Sequence, residues 1–332
     1  MGKEVSMGCA RPKVAILILN WNGKRDTLET LESVKGLDYE TLEVWLVDNG
    51  STDGSKDAVE DQFSGVRVLS SAENLGVAGG RNFGLDAILS HGRADYVLIL
   101  DNDVVVEPRL LNKLVTAAET RADLGIVGPI IYYHSDPRRI WSAGASIVFR
   151  EVTAKSLAKN RLDTADRVEG IERVDCITGC CMLVKRQVFD AIGRFNPQYF
   201  MVGNETEFCH RAAKQGFGSA VVTHAKLWHK VSASTAGGYH PSRAYFTGRS
   251  TILFLKAHGR LWHWVTTLTF AVLSLPVAYL RERRRGNQRA VAMKARGYLD
   301  GLLGRPVNRE VERYFQSNQF ASAEEMHVRR DS

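Results

Sequence analysis

Two carboxylates at the end of an apolar run are the residues of this sequence best placed to do chemistry. The run Tyr96–Leu100 is rich in strand formers and ends in Asp101, Asn102 and Asp103. It predicts a strand buried on both faces, and ligands of α/β proteins collect beyond the carboxyl ends of such strands. If strand geometry persists, Asp101 and Asp103 share one face, which suits Mg²⁺ or Mn²⁺ bridging a diphosphate. A polar turn ahead of a helix beginning at Pro108 is the alternative.

The elements that position these carboxylates follow from hydrophobic periodicity. Short apolar runs alternate with amphipathic stretches, which predicts a βαβ series and a largely parallel sheet. The predicted strands are Val14–Leu19, Leu42–Val47, Val66–Leu69, Tyr96–Leu100 and Gly125–Ile131. A capping box at Asp26 and Glu29 predicts a helix to about Leu37.

The second half of the chain departs from this alternation after about residue 140. A helix is predicted from Pro108 to about Arg121, and another over Asn204–Gln215. A strand-like stretch over Cys176–Val184 suggests antiparallel additions to the sheet. Ala220–Trp228 is predicted to be extended chain that ends at His229.

Composition limits the class of protein. The 332 residues are 44% hydrophobic and 24% charged, which is an ordinary globular composition. The net charge of +7 is concentrated late, at 281–285 and 329–330, which favours an anionic surface rather than nucleic acid as the partner. Five cysteines without a Cys-x-x-Cys pair indicate reduced thiols, mostly in the core. Because residues 1–12 lack an apolar signal stretch, we expect the catalytic body in the cytoplasm.

The segment Leu261–Leu280 is apolar for about twenty residues and just reaches the length of a bilayer span. His263, Pro276 and the arginines at 281–285 fit a helix on the membrane surface better. A true span and a buried core helix are the alternatives.

Polar loops follow two further predicted strands at the same edge of the sheet. Asn20-Trp21-Asn22-Gly23 follows the first and residues 48–54 follow the second, although either loop could be a simple turn. Asp48 can accept a hydrogen bond from a nucleobase, and Trp21 offers a ring for stacking. A third loop, residues 73–82, brings glycines and Arg81, which can reach a phosphate or a base. It matches neither the P-loop nor the dinucleotide-binding pattern.

Four ordered motifs over about residues 13–255 resemble those of family 2 glycosyltransferases. They read VAILILNWN, VDNGSTDG, NLGVAGGRN and LDND. The resemblance implies a GT-A fold, that of the nucleotide-diphospho-sugar transferases, with a mixed, mostly parallel sheet flanked by helices. It also implies a nucleotide-sugar donor, Mg or Mn on the DxD motif, and transfer with inversion. In style the sequence is similar to bacterial rhamnosyltransferase-like members, which build cell-surface polysaccharides and carry a membrane-associating C-terminal segment.

The resemblance also assigns roles to residues. Asp48 would bind the base, Asn20 and Trp21 would line the nucleoside pocket, and Asp101 would contact both ribose and metal. The residues expected to bind the nucleotide sugar are Asn20, Trp21, Asp48, Asn74, Arg81, Asp101 and Asn102. The expected metal ligands are Asp101, Asp103 and His229.

The acceptor side is expected at Thr178, Gly179 and Asn204. Relatives commonly place an Asp base in a Glu-Asp pair, whereas this chain reads Asn204-Glu205-Thr206-Glu207. Alignment on the flanking Phe and Arg makes Glu205 the base, with Glu207 as the alternative. A favourable interaction with the helix dipole is the simpler explanation for Glu205.

These observations predict an inverting, metal-dependent glycosyltransferase that acts on a glycan or lipid-linked saccharide at the cytoplasmic face of an anionic membrane. The base would be Glu205, while the metal ion bound by Asp103, together with His229, would neutralise the departing diphosphate. Arg249 either adds positive charge there or is an ordinary surface residue. We expect a flexible tail over 1–12, a catalytic domain over 13–255 and a basic helical region over 256–332.

Two other classes of function remain. A sugar nucleotidyltransferase would also use paired carboxylates, but it needs a basic triphosphate loop where this chain has Asn-Trp-Asn-Gly. A non-catalytic glycan-binding or scaffold protein on the same fold would release no nucleoside diphosphate. Among donors, a uridine or deoxythymidine nucleotide is favoured.

Overall fold

The computed structural model describes residues 11–149, 153–163, 169–231 and 240–307. Its strands are β1 (Val14–Asn20), β2 (Leu42–Asp48), β3 (Val66–Ser70), β4 (Tyr96–Asp101), β5 (Val104–Val106), β6 (Leu124–Tyr133), β7 (Asp136–Ser142), β8 (Ala145–Val148), β9 (Thr153–Ser156), β10 (Ile171–Val174), β11 (Cys181–Lys185) and β12 (Gly218–His229). Its helices are α1 (Lys24–Lys35), α2 (Ser55–Gln62), α3 (Gly76–Ser90), α4 (Leu110–Thr120), α5 (Arg186–Ile192), α6 (Asn204–Lys214), α7 (Pro241–His258), α8 (Leu261–Arg283) and α9 (Gln288–Leu302). The predicted tail up to residue 10, Cys9 and the arginines at 329–330 lie outside the described residues.

The main sheet is mixed and mostly parallel in its first half, as predicted. Its strand order is β10, β12, β6, β11, β4, β1, β2, β3, with β5 paired to β12 and β7 paired to β6. The strands β1, β2, β3 and β4 run parallel, so their carboxyl ends meet at one edge. The strand β11 runs antiparallel between β4 and β6. The register places Asn20 opposite Asp48 and Leu19 opposite Asp101.

The predicted strands of the first half all form, and four of them end one residue further on. The polar residues Asn20, Asp48 and Asp101 are therefore the last residues of their strands. Asp101, Asn102 and Asp103 together are called the acidic triplet. Strand geometry does not persist through it, because the chain bends at Asn102 and Asp103. The bend lets β5 start at once and pair antiparallel with β12.

The predicted capping box at Asp26 and Glu29 is wrong. The helix α1 begins at Lys24 with Gly23 before it, so both carboxylates lie inside the helix. The N–H of Lys24 donates to Asp53 Oδ2 at 2.9 Å rather than to either of them. Both carboxylates instead form ion pairs with Lys230, which follows β12. A long-range cation, invisible to local sequence patterns, thus replaces the expected local contact.

The core lies on both faces of the sheet, because successive residues of each strand point to opposite sides. On one face, Ile16 and Ile18 pack with Leu31 of α1 and Leu114 of α4. On the other face, Leu17 of β1, Leu85 of α3 and Phe208 of α6 belong to one core cluster. The described cysteines at 176, 180, 181 and 209 are buried free thiols, as predicted.

The C-terminal helices continue the body of the protein. A Cβ atom added at Gly297 of α9 would collide with the backbone of Tyr245 in α7, so the two helices approach closely there. Arg249 of α7 is buried and donates hydrogen bonds to the carbonyls of Gln198 and Arg305, at 2.6 and 3.2 Å. Arg249 is therefore not a surface residue, and it ties α7 to the body. The predicted domain boundary after residue 255 falls three residues before α7 ends at His258.

The helix α8 is packed near its start and exposed along the rest of its length. The ring of His263 stacks on Phe149 with centroids 3.9 Å apart, and Thr267 donates a hydrogen bond of 2.6 Å to the Phe149 carbonyl. Further along, Val272 and Val277 are 69% and 67% exposed, which excludes a helix buried in the core. Within the described ranges, α8 is the helix long and apolar enough to cross a membrane.

Candidate active site

The amide of Asn20 connects three strand ends. Its Nδ2 donates to Asp48 Oδ1 at 3.2 Å, and its Oδ1 accepts from Asn102 Nδ2 at 2.9 Å and from Thr27 at 2.8 Å. Asn20 is fully buried, and Asp48 is only 4% exposed. This network fixes the position of the Asp48 carboxylate, which also accepts a hydrogen bond from the backbone of Ser51.

Of the other side chains predicted to bind the nucleotide, Asn74 and Asn102 are hydrogen-bonded within the protein, whereas Trp21 is partly exposed. The amides of Asn74 and Asn102 bond within the protein, Asn74 to Asn49 and to the Gly76 backbone, and Asn102 to Asn20 and Thr27. Trp21 is only half-buried, beside Asp48 at the same sheet edge. Asn49, which the sequence analysis did not single out, holds the loop before α3 by accepting from the Leu75 backbone at 3.0 Å.

Arg81 joins the predicted donor side of the site to the predicted acceptor side. Its guanidinium, almost fully buried, donates hydrogen bonds of 2.9 Å to Asp101 Oδ1, Asn204 Oδ1 and the Gly179 carbonyl. A Cβ atom at position 179 would lie 2.6 Å from Nη2 of this guanidinium, so only glycine leaves room for it. Arg81 therefore holds the carboxylate of Asp101 and the start of α6 in place.

The pairing of β5 with β12 brings His229 to the acidic triplet. Val104 lies opposite His229 in the ladder, and His229 Nε2 is 3.1 Å from Asp103 Oδ1. Burial disfavours the charged imidazole, but the hydrogen bond and charge of Asp103 outweigh it and raise the pKa of His229. The ring of Trp141 packs edge-on against His229, with centroids 4.6 Å apart.

Burial of the Asp101 carboxyl group raises its pKa to about 6, although the nearby Arg81 guanidinium opposes this shift. The neighbouring carboxylates of Asp103 and Glu205 raise the pKa further, while His229 lowers it. Negative charge at Asp101 is therefore costly in the absence of a further cation.

The cluster of Asp101, Cys180 and His229 fits a divalent cation. One ligand atom from each side chain lies within 4.8 Å of the other two. The Nδ1 atom of His229 is buried and has no hydrogen-bond partner among the described residues. Carboxylate, imidazole and sulfur are all donors that transition metals accept. Cys180 was not predicted from the sequence, because only the pairing of β11 with β4 brings the loop before β11 to Asp101.

The two candidate bases, Glu205 and Glu207, lie in different environments at the start of α6. Glu207 is 3% exposed, and its Oε1 lies 2.7 Å from Arg211 Nε and 3.4 Å from His258 Nε2. Burial opposes ionisation of Glu207, but these hydrogen bonds outweigh it and lower its pKa. Glu205 instead lines a cleft of about 890 Å³, its open mouth included, together with Thr178 and Trp141.

A mixed sheet with polar strand ends, an acidic triplet and a cleft beside it is the arrangement expected for the GT-A fold. Comparisons with solved structures give the same fold. The mannosyltransferase PcManGT from Pyrobaculum calidifontis, in complex with GDP-Man and Mn²⁺, superposes with a TM-score of 0.53 at 18% identity, over 94% of this chain and 86% of that one. GalNAc-T7 with UDP, GalNAc and Mn²⁺ gives a TM-score of 0.52 at 15% identity, over 66% of this chain and 44% of that one.

The chain belongs to glycosyl transferase family 2, whose family model matches residues 15–193. It is 30% identical over 239 residues to the N-acetylglucosaminyl-diphospho-decaprenol L-rhamnosyltransferase of Mycobacterium tuberculosis, which covers 67% of this chain and 76% of the relative. It is also 24% identical over 203 residues to the low-salt glycan biosynthesis hexosyltransferase Agl10 of Haloferax volcanii, covering 61% of this chain and 62% of the relative.

Proposed function

We propose that this glycosyltransferase is metal-dependent and inverting, and that it transfers a sugar from a nucleotide-diphosphate donor to a hydroxyl group of a glycan or lipid-linked saccharide during cell-surface polysaccharide synthesis. The position of Glu205 carries the proposal. Its carboxylate lines the cleft, and its negative charge contributes to the raised pKa of Asp101. Trp141 lines the same cleft and contacts His229, so the candidate base and the candidate metal ligands are neighbours.

In this mechanism Glu205 accepts the proton of the acceptor hydroxyl group. A neutral hydroxyl is a poor nucleophile, so a carboxylate within hydrogen-bonding reach lowers the barrier as it attacks. Attack on the face of the sugar opposite the diphosphate inverts the anomeric carbon. Glu207 is the poorer candidate, because its carboxylate already binds Arg211 and His258.

The negative charge that develops on the departing diphosphate must also be stabilised. Asp101, Asp103 and His229 are the residues that would hold Mg or Mn, and such an ion would neutralise charge on a departing diphosphate. Arg81 binds both Asp101 and Asn204, so it fixes the end of β4 relative to the start of α6. That the two solved neighbours contain Mn²⁺ supports a divalent cation here as well.

For the donor, we infer a nucleotide sugar whose base donates a hydrogen bond to Asp48 and stacks on the ring of Trp21. The Asp48 carboxylate is fixed by Asn20 and Ser51, which suits recognition of a base N–H group. A uridine or deoxythymidine nucleotide is the donor that we favour.

For location, we infer that α8 lies on the cytoplasmic face of an anionic membrane. Its exposed Val272 and Val277 offer apolar contact, and the arginines at 281–285 offer charge. In this arrangement residues 13–255 form the catalytic domain and the helices after it seat the domain on the membrane. The acceptor of the mycobacterial relative, a diphospho-decaprenol, agrees with a substrate presented by a membrane.

The direct test incubates the purified protein with Mn²⁺, a lipid-linked saccharide and sugar nucleotides of uridine, deoxythymidine and guanosine. We expect acceptor-dependent release of one nucleoside diphosphate, a product of inverted anomeric configuration by NMR, and loss of turnover with chelator or in Asp103→Asn. Retained configuration, or full turnover with chelator and in Asp103→Asn, would contradict the mechanism.

A further inference from the structure

We propose that the cleft around Glu205 binds an acceptor that carries a phosphate or diphosphate group, and that Lys159 and Arg243 bind that group. This inference rests on the proposed function, since it takes Glu205 as the base that faces the acceptor. It adds the chemical class of the acceptor and two residues that recognise it.

The charges that line the cleft favour an anion. Its charged side chains are one acid, Glu205, and two cations, Lys159 and Arg243. They come from three separate segments, because Glu205 lies in the first turn of α6, Lys159 follows β9, and Arg243 lies in the first turn of α7. The hydroxyl groups of a neutral sugar need no pair of cations, whereas a phosphate is recognised by lysine and arginine.

Lys159 and Arg243 are also unpaired within the part of the chain that the structure describes. Three exposed arginines elsewhere, Arg25, Arg121 and Arg139, each lie within 3.1 Å of a carboxylate. Neither Lys159 nor Arg243 forms an ion pair with a described carboxylate, so both remain available to a ligand. The positive end of the α7 dipole adds to the charge of Arg243.

The position of the two cations indicates the acceptor's phosphate rather than the donor's diphosphate. The described walls of the cleft include Thr178 and Glu205 but neither Asp48 nor Asp101, the residues assigned to the donor. Trp141 separates the two regions, since its ring contacts His229 and also lines the cleft. The phosphate of the acceptor and the diphosphate of the donor would therefore bind in separate places.

The cleft is also connected to the exposed apolar helix. The hairpin of β8 and β9 supplies Ala145, Ala154 and Ser156 to the cleft wall, and Phe149, which follows β8, stacks on His263 of α8. The hairpin thus contacts both the cleft that Arg243 lines and the helix α8. An acceptor whose phosphate joins a sugar to a lipid would place its sugar at Glu205 and its chain toward α8.

The test uses two synthetic acceptors with the same N-acetylglucosamine and the same alkyl chain, one joined by a diphosphate and one by a neutral glycosidic oxygen. The variants are Arg243→Gln, Lys159→Gln and the double variant, with Arg93→Gln as the matched control. Arg93 is exposed and precedes β4, at the end of that strand opposite Asp101. We expect the double variant to raise KM for the diphosphate acceptor about tenfold or more, and KM for the neutral acceptor by a clearly smaller factor. The control should change neither value.

A second measurement needs no turnover. Calorimetry with the alkyl diphosphate alone, in the presence of UDP and Mn²⁺, should show binding to the wild-type protein and its loss in the double variant. Equal binding to both proteins, equal KM shifts for both acceptors, or a loss of UDP affinity instead would overturn the inference while leaving the proposed function intact. If the sugar nucleotides are not cleaved with any acceptor although the alkyl diphosphate binds, the proposed function fails instead.

Discussion

Arg81 Nη1 on α3 donates a hydrogen bond of 2.9 Å to Oδ1 of Asn204, the first residue of α6. The same guanidinium binds Asp101, so one buried cation connects the last residue of β4 to the helix that carries Glu205. Because Asn204 is neutral, Arg81 has one carboxylate partner here, and Glu205 has an amide rather than an acid as its preceding neighbour.

This contact predicts the effect of changing Asn204. Asn204→Ala leaves a buried guanidinium N–H without its acceptor, which should cost about 1–3 kcal/mol of stability and weaken turnover. Asn204→Asp restores an acceptor and should recover most of that stability. Urea denaturation of the three proteins gives the comparison. An alanine variant as stable as the wild type would show that Arg81 does not depend on Asn204.

The sulfur of Cys180 beside Asp101 and His229 predicts a particular response to soft metals. Cd²⁺ prefers thiolate ligands, so it should bind at this cluster and displace the thiol proton. We expect a thiolate-to-cadmium absorption band in the ultraviolet that disappears in Cys180→Ser and persists in Cys181→Ser. Cys181 is an equally buried neighbour and is the matched control. A band that survives in Cys180→Ser would place the metal elsewhere.

The pairing of Glu207 with His258 and Arg211 predicts a pH dependence of stability. Burial opposes ionisation of Glu207, but these two partners outweigh it, so its pKa in the folded state lies below the ordinary value of 4.5. Such a carboxylate stabilises the fold fully above its unfolded pKa, and the stabilisation is lost as the pH falls through the folded pKa. Between about pH 6 and about pH 3, the wild type should therefore lose more stability than Glu207→Gln. Identical losses, measured by urea midpoints, would remove Glu207 from this role.

The exposed apolar face of α8 predicts binding to membranes. The protein should sediment with vesicles that contain anionic lipid, and less with neutral ones, because arginines follow the apolar segment. The double variant Val272→Glu and Val277→Glu should lose this binding. Leu162→Glu, at an exposed apolar position away from α8, is the control and should sediment like the wild type. Equal sedimentation of all three proteins would rule out α8 as the contact.

Sequence patterns were sufficient for the parallel half of the sheet and for its polar edge. The apolar runs and turn residues around Asn20, Asp48 and Asp101 carry their own signal, because a buried strand and the turn after it are local properties. The capping box predicted at Asp26 was wrong. That carboxylate pairs instead with Lys230, which lies about two hundred residues further along the chain. No local pattern predicts such a contact.

The same limit applies to the site. The acidic triplet and His229 were predicted from motifs, whereas Cys180 and Trp141 join them only through pairings of distant strands. The choice between Glu205 and Glu207 also needs the fold, because His258, whose ring contacts the Glu207 carboxylate, comes from α7. The bonds of the Asn102 amide to Asn20 and Thr27 also depend on the fold, because the bend after β4 directs it there. Its contact with the nucleotide stays a prediction.

The most direct test of the account compares Glu205→Gln with Glu207→Gln in the same transfer reaction. We expect Glu205→Gln to lower kcat by about 10²–10⁴-fold with the affinity for the nucleoside diphosphate unchanged. Glu207→Gln should keep most of its turnover at temperatures where it remains folded. Wild-type kcat in Glu205→Gln, or a selective loss of kcat in a folded Glu207→Gln, would contradict the account.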